Sequence, residues 1–490
     1  MTAISTIVAD ESEANISSSV ETFQWMQQWY PVAVVEFLDP HKPHSFQLLG
    51  KKVVLWRDGA QQWQCFDDAC PHRLAPLSEG RVEADGTLLC AYHGWRFDTD
   101  GKCVKIPQSQ TPELEAQHRA NPKSCAIVYP TQEAQGLLWV WAESGAKGAV
   151  ESKNRSPRII AELEGKSDRV VKLFWNIRDM PYGWDYFMEN VADPAHVPVS
   201  HHGLMGDRER DAKYYDMPRL REISTQEGFA FGVTQGDGSP VIDTKHDFQP
   251  PCLMKITMTF TDEGQLILVL YATPTRPGWC RHIGTQILVK NPQGKLPPGL
   301  GFFALPMPTW LGHILASMFL HQDMVFLHYQ ERTIATKARW LDAVYTPNPQ
   351  DKMTITFRQW LEKLAGGGVP WTGESDLPSA ELDKHVLFDV WHTHTVNCQY
   401  CQTSLKRLRW ARTGSYGLAI VVLVLAILLE ARSLAQPLGT RIALTGQTEL
   451  ISIAFVGRVS ISLGLTALGY GIHKLIGLFY VYKFEHAQND

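Results

Sequence analysis

The sequence has no excess of basic charge: Lys and Arg number 46 against 51 Asp and Glu, for a formal net charge of −5. Nothing in that balance points to nucleic acid as a general partner. No internal repeat or low-complexity segment occurs. Cysteine is sparse and odd in number, with nine in 490 residues, so a secreted disulfide framework is not expected. The N-terminus lacks a basic start followed by an apolar run and carries Asp10, Glu11 and Glu13 instead. The expectation is therefore neither a signal peptide nor a transit peptide. With 44% hydrophobic and 20% charged residues, the bulk is not of disordered composition. The length exceeds what one core serves, so two or more domains are expected. Tryptophan is abundant, at 16 residues. Large apolar cores would explain this, and so would a wide aromatic pocket.

The stretch from Trp25 to Trp141 reads as β. Val53 to Trp56 and Trp63 to Phe66 flank Asp58-Gly59, a hairpin signal. Gly145 to Arg158 is polar and rich in Gly, Ser and Lys, as a linker would be. A second block, Ile159 to Leu364, mixes strands such as Lys255 to Phe260 with helical stretches, and suits an α+β domain. Gly366-Gly367-Gly368 marks a break. Beyond it, 17 residues between Arg412 and Glu430 carry no charge. As a helix they would extend about 26 Å, short but sufficient for a bilayer core of about 30 Å. A buried core helix is the alternative. A second apolar run, Leu450 to Ile472, contains Arg458, which is costly at mid-bilayer. Lys406, Arg407, Arg409 and Arg412 precede the first run, and the positive-inside tendency puts that side in the cytoplasm. The organisation expected is a disordered 1–23, an all-β domain 24–145 and a catalytic domain 159–365. A connector 366–412, a membrane anchor 413–472 and a tail 473–490 would complete it.

Cys70-Pro71-His72 is followed, after 17 residues, by Cys90-Ala91-Tyr92-His93. Two Cys and two His could hold zinc or a two-iron cluster with Cys on one iron and His on the other. Each loop supplies one Cys and one His, so each can reach across both irons, and the pattern favours the cluster. Further on, the stretch Asn190 to His201 carries His196 and His201, and Pro194 and Pro198 limit regular helix around that pair. Two His with a distant carboxylate would give the facial triad of non-haem iron(II), with positions open for O₂. His202 rivals His201 on spacing alone. Asp323, in Leu320 to His328, could supply the carboxylate from a helix, or lie on an ordinary polar face.

Cys70 to Ala75, Leu77-Ser78-Glu79-Gly80 and Cys90 to Phe97 resemble the Rieske loops of ring-hydroxylating oxygenases. Gly101-Lys102-Cys103-Val104-Lys105-Ile106-Pro107 narrows the resemblance to one branch. That branch holds pheophorbide a oxygenase, chlorophyllide a oxygenase, the protochlorophyllide-dependent translocon component and the Rieske protein of the chloroplast inner-envelope translocon. The resemblance implies an all-β Rieske domain, a helix-grip α+β catalytic domain and C-terminal transmembrane helices. It implies Cys70, His72, Cys90 and His93 as ligands of a [2Fe–2S] cluster. It implies His196, His201 and Asp323 as ligands of mononuclear Fe(II), with O₂ as co-substrate. Asn190 and Asp193 fall on catalytic positions of the family pattern, and Asp193 on the acidic bridge between metal centres, which in this family acts across a subunit boundary in a trimer. Plant members carry a transit peptide, so the chain is similar to a cyanobacterial relative, in a thylakoid or plasma membrane.

Cys398 and Cys401 form a C-x-x-C pair, which can be a redox switch, half of a zinc site or a passive pair. The resemblance implies a dithiol answering to thioredoxin. The function expected is a monooxygenase taking electrons from a ferredoxin-like donor and acting on a large hydrophobic tetrapyrrole derived from chlorophyll. Oxidation of a methyl group of chlorophyllide or protochlorophyllide is one alternative. A membrane redox-sensing subunit of a translocon or signalling complex is another.

Overall fold

Short β-rich segments build the first part of the chain, and some, such as Trp29–Val34 and Leu137–Trp141, are buried along their whole length. A computed structural model describes residues 21–165, 167–234, 239–301, 306–337, 339–373, 375–437 and 452–486. The hairpin expected around Asp58-Gly59 forms. Lys51–Arg57 pairs antiparallel with Trp63–Asp67, Leu55 opposite Cys65. Asp58 closes the turn by accepting the Gln62 N–H at 2.8 Å. These strands belong to a four-stranded sheet with His44–Leu48 and Val128–Tyr129. A second four-stranded sheet of very short strands, Arg81–Val82 through Cys103–Lys105, carries the second cysteine loop between Leu88–Leu89 and Arg96–Phe97. A third joins Trp29–Val34 to Leu137–Trp141 and Thr131–Ala134.

The second block is a wholly antiparallel sheet of eight strands from Val170–Lys172 to Trp279–Val289. The helices Trp184–Ala192 and Lys352–Leu364 pack with it: Trp184 and Phe357 meet at 5.5 Å between centroids, and Phe248 of the sheet meets Phe357 at 5.3 Å. Trp56, Trp139, Trp141, Trp175, Trp184 and Trp360 are all fully buried. Their rings fill cores, so at these positions the core reading of the tryptophan content holds.

The chain divides into two compact units. One comprises 1–307, 322–382 and 485–490; the other comprises 308–321 and 383–484. The first unit joins the expected β and catalytic domains. Phe23 donates its N–H to the Leu364 carbonyl at 2.8 Å, and Trp25 Nε1 reaches the Ala365 carbonyl at 2.9 Å. Phe23 is therefore packed, against the expectation of disorder through 23, while Glu21 and Thr22 are exposed; residues 1–20 lie outside the described residues. The expected linker holds a short helix, Gly145–Glu151. In the expected tail, His486 hydrogen-bonds the Gln322 carbonyl at 2.7 Å, and residues 487–490 lie outside the described residues.

In the second unit, the first apolar run lies within one long helix, Gln399–Leu434; of the second run, Ile453 to Ile472 lies within the helix Ile453–Gly477, while Leu450 and Ile451 lie outside the described residues. Both are long and apolar enough to cross a membrane. Only 17% and 11% of their most apolar windows are buried. They pack on each other, with Ser462 Oγ donating to the Ala419 carbonyl at 2.8 Å. A buried core helix would not leave Ile420, Leu425 and Leu428 half exposed or more.

Candidate metal centres

The two cysteine loops fold alike because the same backbone bonds close each of them. In the first, the Leu74 N–H bonds the Cys70 carbonyl and the Cys70 N–H bonds the Ala75 carbonyl, both at 2.8 Å. In the second, Gly94 N–H reaches the Cys90 carbonyl at 2.9 Å and Cys90 N–H reaches the Trp95 carbonyl at 2.8 Å. The equivalent residues Leu74 and Gly94 both have left-handed backbone, φ 58° and 73°. Glycine adopts this freely; a leucine there is strained, a cost kept where the surrounding structure demands the turn. Each loop thus turns its Cys inward and carries its His toward the surface. Cys70 and Cys90 are buried among Trp56, Leu77, Leu88 and Phe97. The His72 and His93 rings lie 4.7 Å apart, and His72 stacks on Trp95.

This donor set fits the expected two-iron cluster: two buried soft thiols on one side and two imidazoles nearer solvent on the other. Burial pushes the Cys70 thiol up to about 12, so thiolates there require a cation beside them.

The second centre is assembled from two distant segments. The helix Trp184–Ala192 ends at Asp193, whose N–H bonds the Asn190 carbonyl at 3.1 Å. Asp193 then shapes the next turn: its Oδ1 accepts the Ala195 N–H at 2.7 Å, and its carbonyl contacts His196 Nδ1 at 2.6 Å. A short helix, Val197–Ser200, presents His201. From the other direction, Asp323 arrives on the helix Thr309–Ile334. The ligand atoms of His196, His201 and Asp323 all lie within 4.8 Å of one another. Asp323 Oδ2 is 3.1 Å from His201 Nε2 and 3.7 Å from His196 Nε2. The structure brings His201 to this point and not His202, whose Nδ1 accepts the Arg208 N–H at 3.0 Å.

Two neighbours that the sequence did not single out hold these side chains. Ser200 donates its hydroxyl to Asp323 Oδ1. His201 Nδ1 bonds Gln322 Oε1 at 2.7 Å, leaving Nε2 to face Asp323. Each lies next to an expected ligand in sequence, the only signal that could have marked it. Burial alone would raise the Asp323 carboxyl, but the His201 and His196 imidazoles and the Ser200 hydroxyl outweigh it and hold the carboxyl below its usual range. Two imidazoles and one anionic oxygen suit iron(II) with open positions. The buried Ser200 and Gln322 contacts fix the orientation of those donors.

Asp193 Oδ2 stands 3.7 Å from His196 Nδ1, so within one chain the carboxylate is beyond hydrogen-bond length from that ring and the Asp193 carbonyl takes its place. Cys398 and Cys401 come together in the other unit, both buried, with His313 and His394 against them.

A model of the Rieske [2Fe–2S] domain matches residues 28–120, and a model named pheophorbide a oxygenase matches 248–340. The chloroplastic pheophorbide a oxygenase of Oryza sativa subsp. japonica is 36% identical over 414 residues, which cover 80% of this chain and 75% of the rice protein. Flavonoid 8-hydroxylase 2 of Ocimum basilicum is 30% identical, covering 87% of this chain and 83% of that protein. The solved structure of dicamba monooxygenase bound to dicamba shares the fold, with a TM-score of 0.53, 20% identity, and coverage of 70% of this chain and 98% of that one. The chain belongs to the pheophorbide a oxygenase family of Rieske non-haem iron oxygenases, and its cofactors are a [2Fe–2S] cluster and a mononuclear iron.

Proposed function

We propose that this oxygenase acts on a large apolar macrocycle derived from chlorophyll. Cys70, His72, Cys90 and His93 would hold the cluster, and His196, His201 and Asp323 the mononuclear iron. When bound, the cluster would supply electrons one at a time, and the iron would offer an open position for O₂. The overall reaction takes substrate, O₂, two electrons and two protons, and returns a product carrying one oxygen atom and one water. What supports the macrocycle is the long likeness to the rice enzyme whose name specifies pheophorbide a.

The chain's own residues position the donors. The Asp193 carbonyl orients His196, Gln322 orients His201, and Ser200 holds Asp323. The Asp193 carboxylate would serve as the bridge to a Rieske histidine of a neighbouring copy in a homotrimer. That reading is supported by the surface position of His72 and by Leu74 and Tyr92 beside it, 75% and 62% exposed. Electrons would come from a ferredoxin-like donor.

The helices Gln399–Leu434 and Ile453–Gly477 would anchor the chain in a membrane of a cyanobacterium, thylakoid or plasma, with the catalytic part on the cytoplasmic side. Trp410, 79% exposed beside Arg409 and Arg412, is placed as an interfacial anchor would be. A thioredoxin-responsive dithiol at Cys398 and Cys401 finds less support, since burial of both sulfurs shields them from an attacking thiolate.

The test uses the full chain in detergent with reduced ferredoxin, ¹⁸O₂ and a panel of pheophorbide a, chlorophyllide a, protochlorophyllide and a flavone. Uptake of one labelled oxygen into pheophorbide a is the expected result. Turnover of the flavone alone, which the basil relative makes the second reading, would replace the macrocycle. Cluster reduction without O₂ uptake on any substrate would favour a redox-sensing subunit.

A further inference from the structure

We propose that His313, His394, Cys398 and Cys401 form a structural zinc site, separate from both iron centres. All four lie in one unit of the chain and all are buried, with exposures of 1%, 3%, 0% and 1%. Their donor atoms all fall within 4.8 Å of one another. His313 Nδ1 is 3.3 Å from Cys401 Sγ and 3.7 Å from Cys398 Sγ. His394 Nε2 is 3.3 Å from Cys401 Sγ and 3.1 Å from His313 Nδ1. Tetrahedral zinc has Zn–S near 2.3 Å and Zn–N near 2.0–2.1 Å, which sets its donor atoms roughly 3.3–3.8 Å apart. The observed separations lie at or close to that range.

Hydrogen bonding among the four does not explain the arrangement. A ring nitrogen carries one hydrogen or one lone pair and serves one line, yet His313 Nδ1 has three partners in the cluster. One cation at the centre meets all four donors along one direction each. A second two-iron cluster does not fit either. There the thiolates and imidazoles sit on different irons, whereas here sulfur and nitrogen approach to 3.3 Å, within 0.2 Å of the nitrogen–nitrogen distance of 3.1 Å. A mononuclear S₂N₂ tetrahedron is a zinc donor set. Two thiolates also cancel the charge of a divalent ion, which lets the site be buried.

The local structure delivers the ligands. Cys398 is the N-cap of the helix Gln399–Leu434 and Cys401 lies in its first turn, so three residues' spacing puts both sulfurs on one side. His394 is held by its N–H to the Val390 carbonyl at 3.0 Å, and the following Thr395 Oγ1 by the Phe479 carbonyl at 2.8 Å. His313 comes from the first turns of the helix Thr309–Ile334. Zinc here would tie three segments together where the first apolar helix begins. Both cysteines are free thiols, not a disulfide; as zinc ligands they would be unavailable for dithiol exchange.

The experiment is elemental analysis and zinc K-edge absorption on the full chain, isolated in detergent. The expected result is about one zinc per chain beyond the iron, with two sulfur and two nitrogen neighbours at zinc-like distances. Cys401→Ser should lose that zinc while the Rieske absorbance persists, and Cys125→Ser should retain it. Should Cys401→Ser fail to fold, the absorption fine structure of the unaltered chain still decides. Zinc far below stoichiometry, a shell of oxygen and nitrogen only, iron in an S₂N₂ site by Mössbauer spectroscopy, or a Cys398–Cys401 disulfide in the isolated chain would each overturn the proposal.

Discussion

Asp193 fixes the approach to the mononuclear site with its backbone and its side chain at once. Its Oδ1 holds the Ala195 N–H, and its carbonyl meets His196 Nδ1. An Asp193→Asn chain keeps an oxygen for Ala195 and loses the charge. It is expected to retain iron and cluster absorbance while oxidation of the pre-reduced cluster slows about 10–100-fold, the range for groups that orient metal ligands. Stopped-flow absorbance with substrate and O₂ measures this. Normal oxidation would reduce Asp193 to a local turn former, and loss of iron would make it a ligand and put Asp323 in doubt. At the other centre, His93→Cys replaces a neutral donor by an anionic one. The cluster should persist with a midpoint lowered on the order of 100 mV or more; an unchanged redox titration would exclude His93 as a ligand.

Between residue and fold, the short sheet under the cysteine loops depends on one close approach. Gly80 follows the turn Leu77–Glu79, and a Cβ there would lie 2.0 Å from the Leu89 carbonyl oxygen and 2.9 Å from that of Leu77. Both are backbone atoms, and Leu89 immediately precedes Cys90. Gly80→Ala is therefore expected to displace the second loop and cost about 3 kcal/mol. Bleaching of the cluster spectrum with a lower thermal midpoint would register it; an unaltered spectrum would contradict the contact.

The eight-stranded sheet carries a pH liability of its own. Burial lowers His246 and His282 from 6.5 to about 4, only partly offset by their backbone hydrogen bonds. The folded state keeps them neutral while the unfolded chain takes up protons. Their stability contribution is thus intact above pH 6.5 and lost as the pH falls toward 4, by about 3 kcal/mol for each. Urea midpoints at pH 7.5 and 4.5 should fall accordingly, and His282→Gln, which can still donate to the Tyr271 carbonyl, should show a smaller drop. Equal drops in both proteins would show that His282 is not responsible.

On the scale of the whole molecule, the proposed attachment to a membrane rests on the two apolar helices. The chain enters and leaves them at neighbouring points: Arg412 Nη1 lies 3.3 Å from His473 Nδ1. A short polar linker in place of 413–472 can therefore join the ends. It also spares the strand-like contact in which Val390 N–H bonds the Tyr480 carbonyl at 2.7 Å. The shortened chain is expected to remain in the supernatant on ultracentrifugation with its iron in place. Pelleting with membranes would locate the anchor elsewhere.

What the sequence determined by itself was whatever is settled over a few residues. Cys70 and His72, and Cys90 and His93, share tight loops, so their spacing already carries the geometry of a cluster. The apolar runs announce two helices, because length and hydropathy are additive along a chain. The runs Val53 to Trp56 and Trp63 to Phe66 on either side of Asp58-Gly59 likewise announced a hairpin. Only the tertiary structure decided which distant groups meet. Asp323 joins His201 across more than 120 positions, as the 121-residue separation of His201 and Gln322 shows. Spacing alone left His202 a rival, the family resemblance favoured His201, and it is the His201 ring that faces that carboxylate. His313 meets Cys401 across 88 positions, and nothing local marks a histidine near a helix start as the partner of a distant C-x-x-C. Local spacing constrains local dihedrals, whereas long-range pairing is set by how a whole sheet and its helices pack, and that leaves no short pattern to read.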